Sequence, residues 1–323
     1  SHVAKNGRRE TGYAWGTNPC SEIILRSNQF CNLSEVVVRA NDTKATLKEK
    51  VELAAIIGTL QATLTDFRYL RKLWQRNTEE EALLGVSMTG IMDNPIMTIA
   101  NKGLENTLGH LKQIAVDTNA TWAKRLDIPV STAISCVKPS GTVSQLVNSS
   151  SGIHARHSAY YIRTVRGDNK DPLTDFLKAQ GFPAEACVMK PDSTTIFSFP
   201  MKVEKGAVLR EDLNAIQHLK LWLLFQRHYC EHKPSVTISV TETEWPEVGA
   251  WVWNNFDEIT GVSFLPMDGG TYRQAPYESM TEEEYHAMVA AMPAGIDWDK
   301  LVEGTDNVEG AQTLACTAGA CEI

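Results

Sequence analysis

Apolar residues recur at helical spacing from Leu47 through Val51, Ala54, Ile57, Leu60, Leu64 and Phe67 to Trp74, which predicts one long amphipathic helix. Leu84 to Ile91 is short, apolar and broken by Gly85 and Gly90, the signature of a buried strand, and helical spacing resumes from about Leu104 to Leu126. A strand is expected over Thr132 to Val137, then a Pro139-Ser140-Gly141-Thr142 turn opening a short helix to Val147. Further strands are expected at Tyr160 to Val165, Thr195 to Val203, Ser235 to Val240 and Gly261 to Leu265. Helices are expected at Leu213 to Tyr229, Trp245 to Phe256 and Glu282 to Met292. Repeated alternation of strand and helix implies an α/β domain around a central sheet. Residues 11 to 34, rich in Gly, Asn, Pro, Ser and Cys, read as a structured loop, and the last twenty residues, with Gly304, Gly310 and Gly319, as a flexible tail.

Composition narrows the class. With 323 residues, 43% hydrophobic and 22% charged, the chain can bury a sizeable core as one large domain or two. Lys and Arg number 31 against 39 Asp and Glu, a net charge of -8, so there is no general basic field for nucleic acid, and any phosphate must be held locally. No apolar run approaches the roughly 18 residues of a membrane span, and the polar start lacks a signal-peptide core, so a soluble cytosolic protein without membrane contact is expected. Seven cysteines, an odd count in a long chain, argue against a disulfide framework and leave some of them free for reactivity. The chain opens without methionine in what reads as mid-domain sequence, so a fragment, a processed product or one piece of a split protein is expected.

Three constellations carry chemistry. In Asn18-Pro19-Cys20-Ser21-Glu22, an amide, a thiol and a carboxylate alternate around a proline that stiffens the loop, with Cys31 eleven positions beyond Cys20. Such residues can surround one small substrate, although a lone loop cysteine is more often inert. In Lys138-Pro139-Ser140-Gly141-Thr142-Val143-Ser144, a small-residue turn opening a helix exposes backbone N–H groups to a phosphate; a Ser or Thr N-cap without ligand explains the same residues. The tail thiols Cys316 and Cys321, four residues apart on a Gly/Ala arm, suit disulfide exchange; zinc binding is the competing reading and needs two further ligands.

Taken together, Asn18 to Glu22, Phe30-Cys31-Asn32-Leu33, Leu84 to Asp93, Pro139 to Thr142, Gly269 to Glu278 and the Cys316, Cys321 pair resemble ribonucleotide reductase, most closely its class II, adenosylcobalamin-dependent, triphosphate-using branch. Six matches in the same order span nearly the whole chain. The resemblance implies the second half of a ten-stranded α/β barrel with a central finger loop. Residues 1–34 would be the finger-loop region, 35–303 the half-barrel with its phosphate turn, and 304–323 a redox-active tail. It implies that Cys20 carries a thiyl radical that takes the 3′-hydrogen of a ribonucleotide, that Glu22 is the general base for the 3′-hydroxyl, and that Asn18 hydrogen-bonds the sugar. Cys31 would be one of two reducing cysteines, re-reduced through Cys316 and Cys321 by thioredoxin or a similar protein. Pro139, Ser140, Gly141, Thr142 and Val143 would bind substrate phosphates, and the cofactor would be adenosylcobalamin.

The family's first half-barrel, with the second reducing cysteine and the usual effector region, has no counterpart here, so a complementary N-terminal polypeptide is expected as partner. Alternatives are a class I-type chain acting on diphosphates with a metal radical subunit, an inactive structural half-domain, or a free-standing dithiol module. Tyr160-Tyr161 invites the class I reading, but the pair lies soon after the phosphate turn and reads as core packing with one hydrogen-bonded hydroxyl. Cys136, Cys187 and Cys230 read as buried structural thiols, Trp245, Trp251 and Trp253 as packing residues, and His154 and His157 as surface loop histidines without assignment.

Overall fold

The computed structural model describes residues 2–267 and 273–302. The described residues divide into two compact units, 2–156 with 206–267, and 157–205 with 273–302. The expected tail cysteines Cys316 and Cys321 lie outside the described residues, as does the start of the Gly269 to Glu278 motif.

In chain order the first unit begins with β1 (Trp15–Thr17), β2 (Ile24–Arg26), β3 (Asn32–Val37), α1 (Lys44–Gln61), α2 (Lys72–Glu81), β4 (Leu84–Thr89), α3 (Pro95–Thr98), α4 (Lys102–Leu126) and α5 (Thr142–Leu146). The second unit enters with β5 (Tyr160–Asp168), α6 (Pro172–Ala179), β6 (Ala184–Ala186) and β7 (Thr194–Lys202). The chain returns to the first unit for α7 (Ala215–His228), β8 (Val236–Val240), α8 (Trp245–Asn254) and β9 (Val262–Pro266), and ends in the second with β10 (Tyr277–Ser279) and α9 (Glu282–Ala291).

The frame of the first unit is a run of parallel extended segments. β3 pairs in parallel with β4 from Asn32↔Leu84 to Val37↔Thr89. Residues 133–137 carry the array onward: Val86 N–H donates to Ile134 O at 2.7 Å, and Ser235 N–H donates to Val137 O at 2.9 Å on the far side. β8 then pairs in parallel with β9. All six residues of β4 are buried, as a parallel strand covered on both faces requires. Leu47, Val51 and Ala55 of α1 and Leu104, Leu108 and Leu111 of α4 join them in the core, with Trp222 and Phe225 of α7. The fold class is thus mixed α/β as expected, but among the described residues no barrel closes.

Where the structure departs from the sequence pattern, local chemistry explains it. The single helix expected from Leu47 to Trp74 is two, because Thr63 and Thr65 interrupt it. The Thr63 hydroxyl donates to Leu60 O, a side-chain bond to the backbone of the last turn, and that of Thr65 turns away to the Glu79 carboxylate. The expected strand over Thr132 to Val137 is an extended segment joined by isolated bridges. The loop over residues 11 to 34 contains the antiparallel β1–β2 hairpin, with Trp15 opposite Arg26 and Thr17 opposite Ile24. The tryptophan expectation fails in part: Trp251 packs against the core, but Trp253 is 81% exposed and Trp245 39%.

The second unit is an antiparallel sheet in the order β10-β5-β7-β6, packed with α6 and α9. Tyr161 is buried there and the Tyr160 hydroxyl donates to Glu282 at 2.5 Å, which is the packing role expected of the pair.

Two buried polar groups set conditions on the stability of the first unit. Glu81, at the end of α2, accepts from Arg9 Nε at 2.7 Å and from Gln29 Nε2 at 2.5 Å, and pairs with Arg26 Nε at 3.3 Å. Burial by itself would raise the Glu81 carboxyl, but these hydrogen bonds and the two guanidinium charges hold it below the usual range. The cluster clamps both sides of the hairpin onto α2, so E81A should cost about 3–5 kcal/mol by leaving buried charges unpaired, read as a drop in unfolding free energy in urea. His218 is held neutral: burial, then the neighbouring His154, lowers its pKa to about 4. An unfolded histidine titrates near 6.5 and binds its proton first, so stability should fall as pH drops from about 6.5 toward 4. Urea midpoints across that window should show the fall, and H218Q should flatten it.

Candidate active site

The β1–β2 hairpin presents Cys20 at its tip. Asn18 closes the turn three times over: its N–H donates to Ile23 O at 3.3 Å, its carbonyl accepts from Ser21 N–H at 2.9 Å, and its Oδ1 accepts from Ile23 N–H at 2.9 Å. Ser21 takes φ +66°, a left-handed conformation that costs a non-glycine residue about 1 kcal/mol and that the surrounding bonds must hold. The twist turns Glu22 inward. Its side chain is completely buried, while Cys20 is half-buried.

A buried carboxylate needs a cation, and two lysines frame the tip. Lys138 Nζ donates to Glu22 Oε1 at 3.0 Å and also interacts with the Cys20 thiol. Lys233 donates its backbone N–H to Glu22 O at 3.0 Å and its Nζ to Ser21 Oγ at 2.8 Å. Burial works against both ammonium groups; at Lys138 the charge and hydrogen bond of Glu22 prevail and raise the pKa, whereas at Lys233 burial prevails and lowers it. Among the described residues Glu22 Oε2, itself buried, has no hydrogen-bond partner. One carboxylate oxygen is therefore tied down and the other is open, an arrangement costly in a core and useful in a base.

The hairpin is docked by His232 as well as by Glu81. His232 Nε2–H donates to Leu84 O at 2.9 Å, and Nδ1 accepts from Ile24 N–H at 3.3 Å, which ties β2 to β4. Cys31 enters β3 beside β4 where Gly85 leaves room. A Cβ at Gly85 would stand 2.5 Å from Leu33 Cδ2 and 3.4 Å from Cys31 Sγ. Burial, then the charge of Glu22, pushes the Cys31 thiol far above its ordinary value, so it remains S–H at neutral pH.

The turn over Pro139 to Val143 follows directly from Lys138. Gly141 is the N-cap of α5 and no side chain caps it, so the Ser or Thr N-cap explanation is not what these residues do. Gly141 N–H donates to Ser151 Oγ and Val143 N–H to Ser140 O, and among the described residues no acceptor is matched to the Ser140 and Thr142 amides. The Ser140 hydroxyl donates to Glu35, whose carboxyl is pushed up by burial against the opposing pull of Ser140 and Lys138. Gly152 lets the following loop press on the turn: a Cβ there would meet Lys138 O at 2.5 Å.

The structure thus gathers Asn18, Cys20, Glu22 and Lys138 at one place, sets Cys31 within electrostatic reach of Glu22, and attaches the turn at 139 to 143 through Lys138. Cys136, Cys187 and Cys230 are buried, as expected. His154 is not a solvated loop histidine: Nδ1–H donates to Ser151 O and Nε2 accepts from Thr237 N–H. Sequence reading missed Lys233, Glu35 and His232. The clue available was the run His232-Lys233-Pro234, three polar or rigid residues at the mouth of an apolar strand.

Comparisons with known proteins show first the class of structure that the chain resembles. The chain aligns with a crystal structure of a B-12 dependent (class II) ribonucleotide reductase at TM-score 0.74 and 25% identity, covering 87% of this chain and 43% of that one. An Actinobacillus ureae class Id ribonucleotide reductase alpha subunit shares the fold at TM-score 0.52 and 13% identity, over 78% of this chain and 53% of that one. More particularly, the chain is similar to the adenosylcobalamin-dependent ribonucleoside-triphosphate reductases of Euglena gracilis and Lactobacillus leichmannii. Each is 27% identical, over 95% of this chain and 42% and 45% of their own lengths respectively. No protein-family model matches. The resemblance drawn from the six motifs therefore holds, down to the class II branch, and the chain spans less than half the length of these relatives.

The burial pattern predicts thiol reactivity. Among the five described cysteines, iodoacetamide at pH 8 followed by mass spectrometry should label Cys20 first and Cys31 slowly, with Cys136, Cys187 and Cys230 labelled only after denaturation.

Proposed function

We propose that the chain is the radical-bearing part of an adenosylcobalamin-dependent ribonucleotide reductase that converts ribonucleoside triphosphates to deoxyribonucleotides. The observation that carries this reading is the hairpin tip, where Cys20 stands two residues from a fully buried Glu22 with one carboxylate oxygen unpartnered. Adenosylcobalamin, when bound, supplies the unpaired electron. The residues present fit the receiving end of that chemistry, a half-buried thiol beside a cation and an open base, and none is assigned to hold the corrin.

In this reading the Cys20 sulfur, as a thiyl radical, takes the 3′-hydrogen of the ribose. Glu22 Oε2 accepts the 3′-hydroxyl proton, and the adjacent 2′-hydroxyl, given a proton by a thiol of the reducing pair, leaves as water. Asn18 commits its side-chain oxygen to the turn, which leaves Nδ2 as the donor to the sugar. Cys31 and a second cysteine outside this chain supply two electrons and become a disulfide, and burial supports this by keeping Cys31 as S–H, the form that delivers hydrogen. Cys316 and Cys321 return the electrons by exchange, with thioredoxin or a similar dithiol protein as the source. Ser140 and Thr142, through backbone N–H groups, and the rest of the turn at Pro139, Gly141 and Val143 seat the substrate phosphates. The parallel array from β3 to β9 serves as one half of a ten-stranded barrel, completed by a complementary polypeptide.

Mixing the chain with a polypeptide supplying the rest of the reductase, adenosylcobalamin, a dithiol reductant and a ribonucleoside triphosphate should yield deoxyribonucleotide. The chain alone, and the mixture carrying C20S, should yield none. Turnover by the chain alone, or by C20S, refutes the assignment.

A further inference from the structure

Lys138 has two neighbours with a claim on its charge. It donates to Glu22 Oε1 at 3.0 Å, and it directly precedes the turn that seats phosphate in the proposed function. Its position is fixed at the backbone and open at the tip. Its N–H donates to Ser87 Oγ at 2.9 Å and its carbonyl lies under Gly152, yet its side chain remains 30% exposed, while Glu22 has no exposure at all. Glu22 cannot follow a partner, because its backbone is tied to Lys233 and it sits in the closed hairpin turn. Lys138 can, since its ammonium rides on a flexible four-carbon stem. A phosphate group carries more charge than a carboxylate and presents more acceptor oxygens, so an arriving triphosphate competes for the same ammonium.

We propose that Lys138 is a positioning residue that is handed from Glu22 to the substrate phosphates, so that the base is fully uncovered only when a phosphorylated nucleotide is in place. Without substrate, the ion pair neutralises a buried carboxylate and keeps the open Oε2 from drawing protons or water to the radical sulfur. With substrate, the ammonium turns to phosphate and leaves Glu22 a buried carboxylate without its cation, placed to accept the 3′-hydroxyl proton. No bond is made or broken in this step. The role of Glu22 as base and the phosphorylated substrate are taken from the proposed function, and the hand-over goes beyond it.

A double-mutant cycle on the full chain tests the hand-over, with inorganic triphosphate as the probe and calorimetric titration as the readout. K138M should weaken triphosphate binding by roughly tenfold or more, the weight of one charge-assisted hydrogen bond. E22Q, by releasing the ammonium in advance, should strengthen it by roughly fivefold in the Lys138 background and clearly less in the K138M background, a non-additivity that a merely structural lysine does not produce. K138Q stands in should K138M not fold, and the double variant leaves no buried charge unpaired. Saturable binding with additive effects overturns the hand-over and leaves the phosphate reading intact. No saturable binding by any of the four proteins overturns the phosphate reading and the hand-over with it.

Discussion

The structure turns on a carboxylate that has no access to water. Glu22 is completely buried at the tip of a short hairpin, and a buried charge persists only where a cation and hydrogen bonds meet it. Lys138 meets one oxygen, Lys233 fixes the backbone, and the second oxygen is left open. Much else in the first unit serves that arrangement. Asn18 closes the turn, Ser21 adopts a left-handed conformation beside the inward Glu22, Glu81 holds Arg9 and Arg26 on either side of the hairpin to α2, and His232 ties β2 to β4. The left-handed Ser21 and the unpaired Glu22 oxygen thus concentrate cost in one small loop.

The parallel array explains how residues far apart in sequence converge. Cys31 lies where the chain enters β3, Lys138 just after the segment at 133–137, and Lys233 just before β8. Because these ribs run parallel, Cys31 and Lys233 stand where strands begin and Lys138 where one ends, yet all three meet at Glu22 of the hairpin tip. Gly85 and Gly152 permit the close approaches involved, at the Cys31 sulfur and at the Lys138 carbonyl. Among the described residues the array does not close, and the chain corresponds to less than half of the relatives' length.

Much of this was legible in the sequence because it rests on local pattern. β4 reads as an apolar run between glycines, α4 and α7 carry sustained helical spacing, and Asn18 to Glu22 announces itself by residue type. What depends on tertiary pairing was not legible. Thr63 and Thr65 end α1 through side-chain bonds that a periodicity count ignores, and the pattern merged α1 and α2. Trp253 looks like core by residue type and stands in solvent because Val248 and Trp251 supply the packed face of α8. Lys233 and Glu35 gain their significance only from neighbours more than a hundred residues away, and a single sequence does not display such pairings.

The central claim is that Cys20 and Glu22 face the ribose of a nucleotide. A crystal structure of the chain joined to its complementary polypeptide, with a ribonucleoside triphosphate bound, tests it most directly. The account predicts the 3′-hydroxyl within hydrogen-bond reach of Glu22 Oε2, about 2.6–3.2 Å, with the Cys20 sulfur against the 3′-carbon. A sugar bound away from the hairpin tip, with Glu22 still enclosed and untouched, would contradict it.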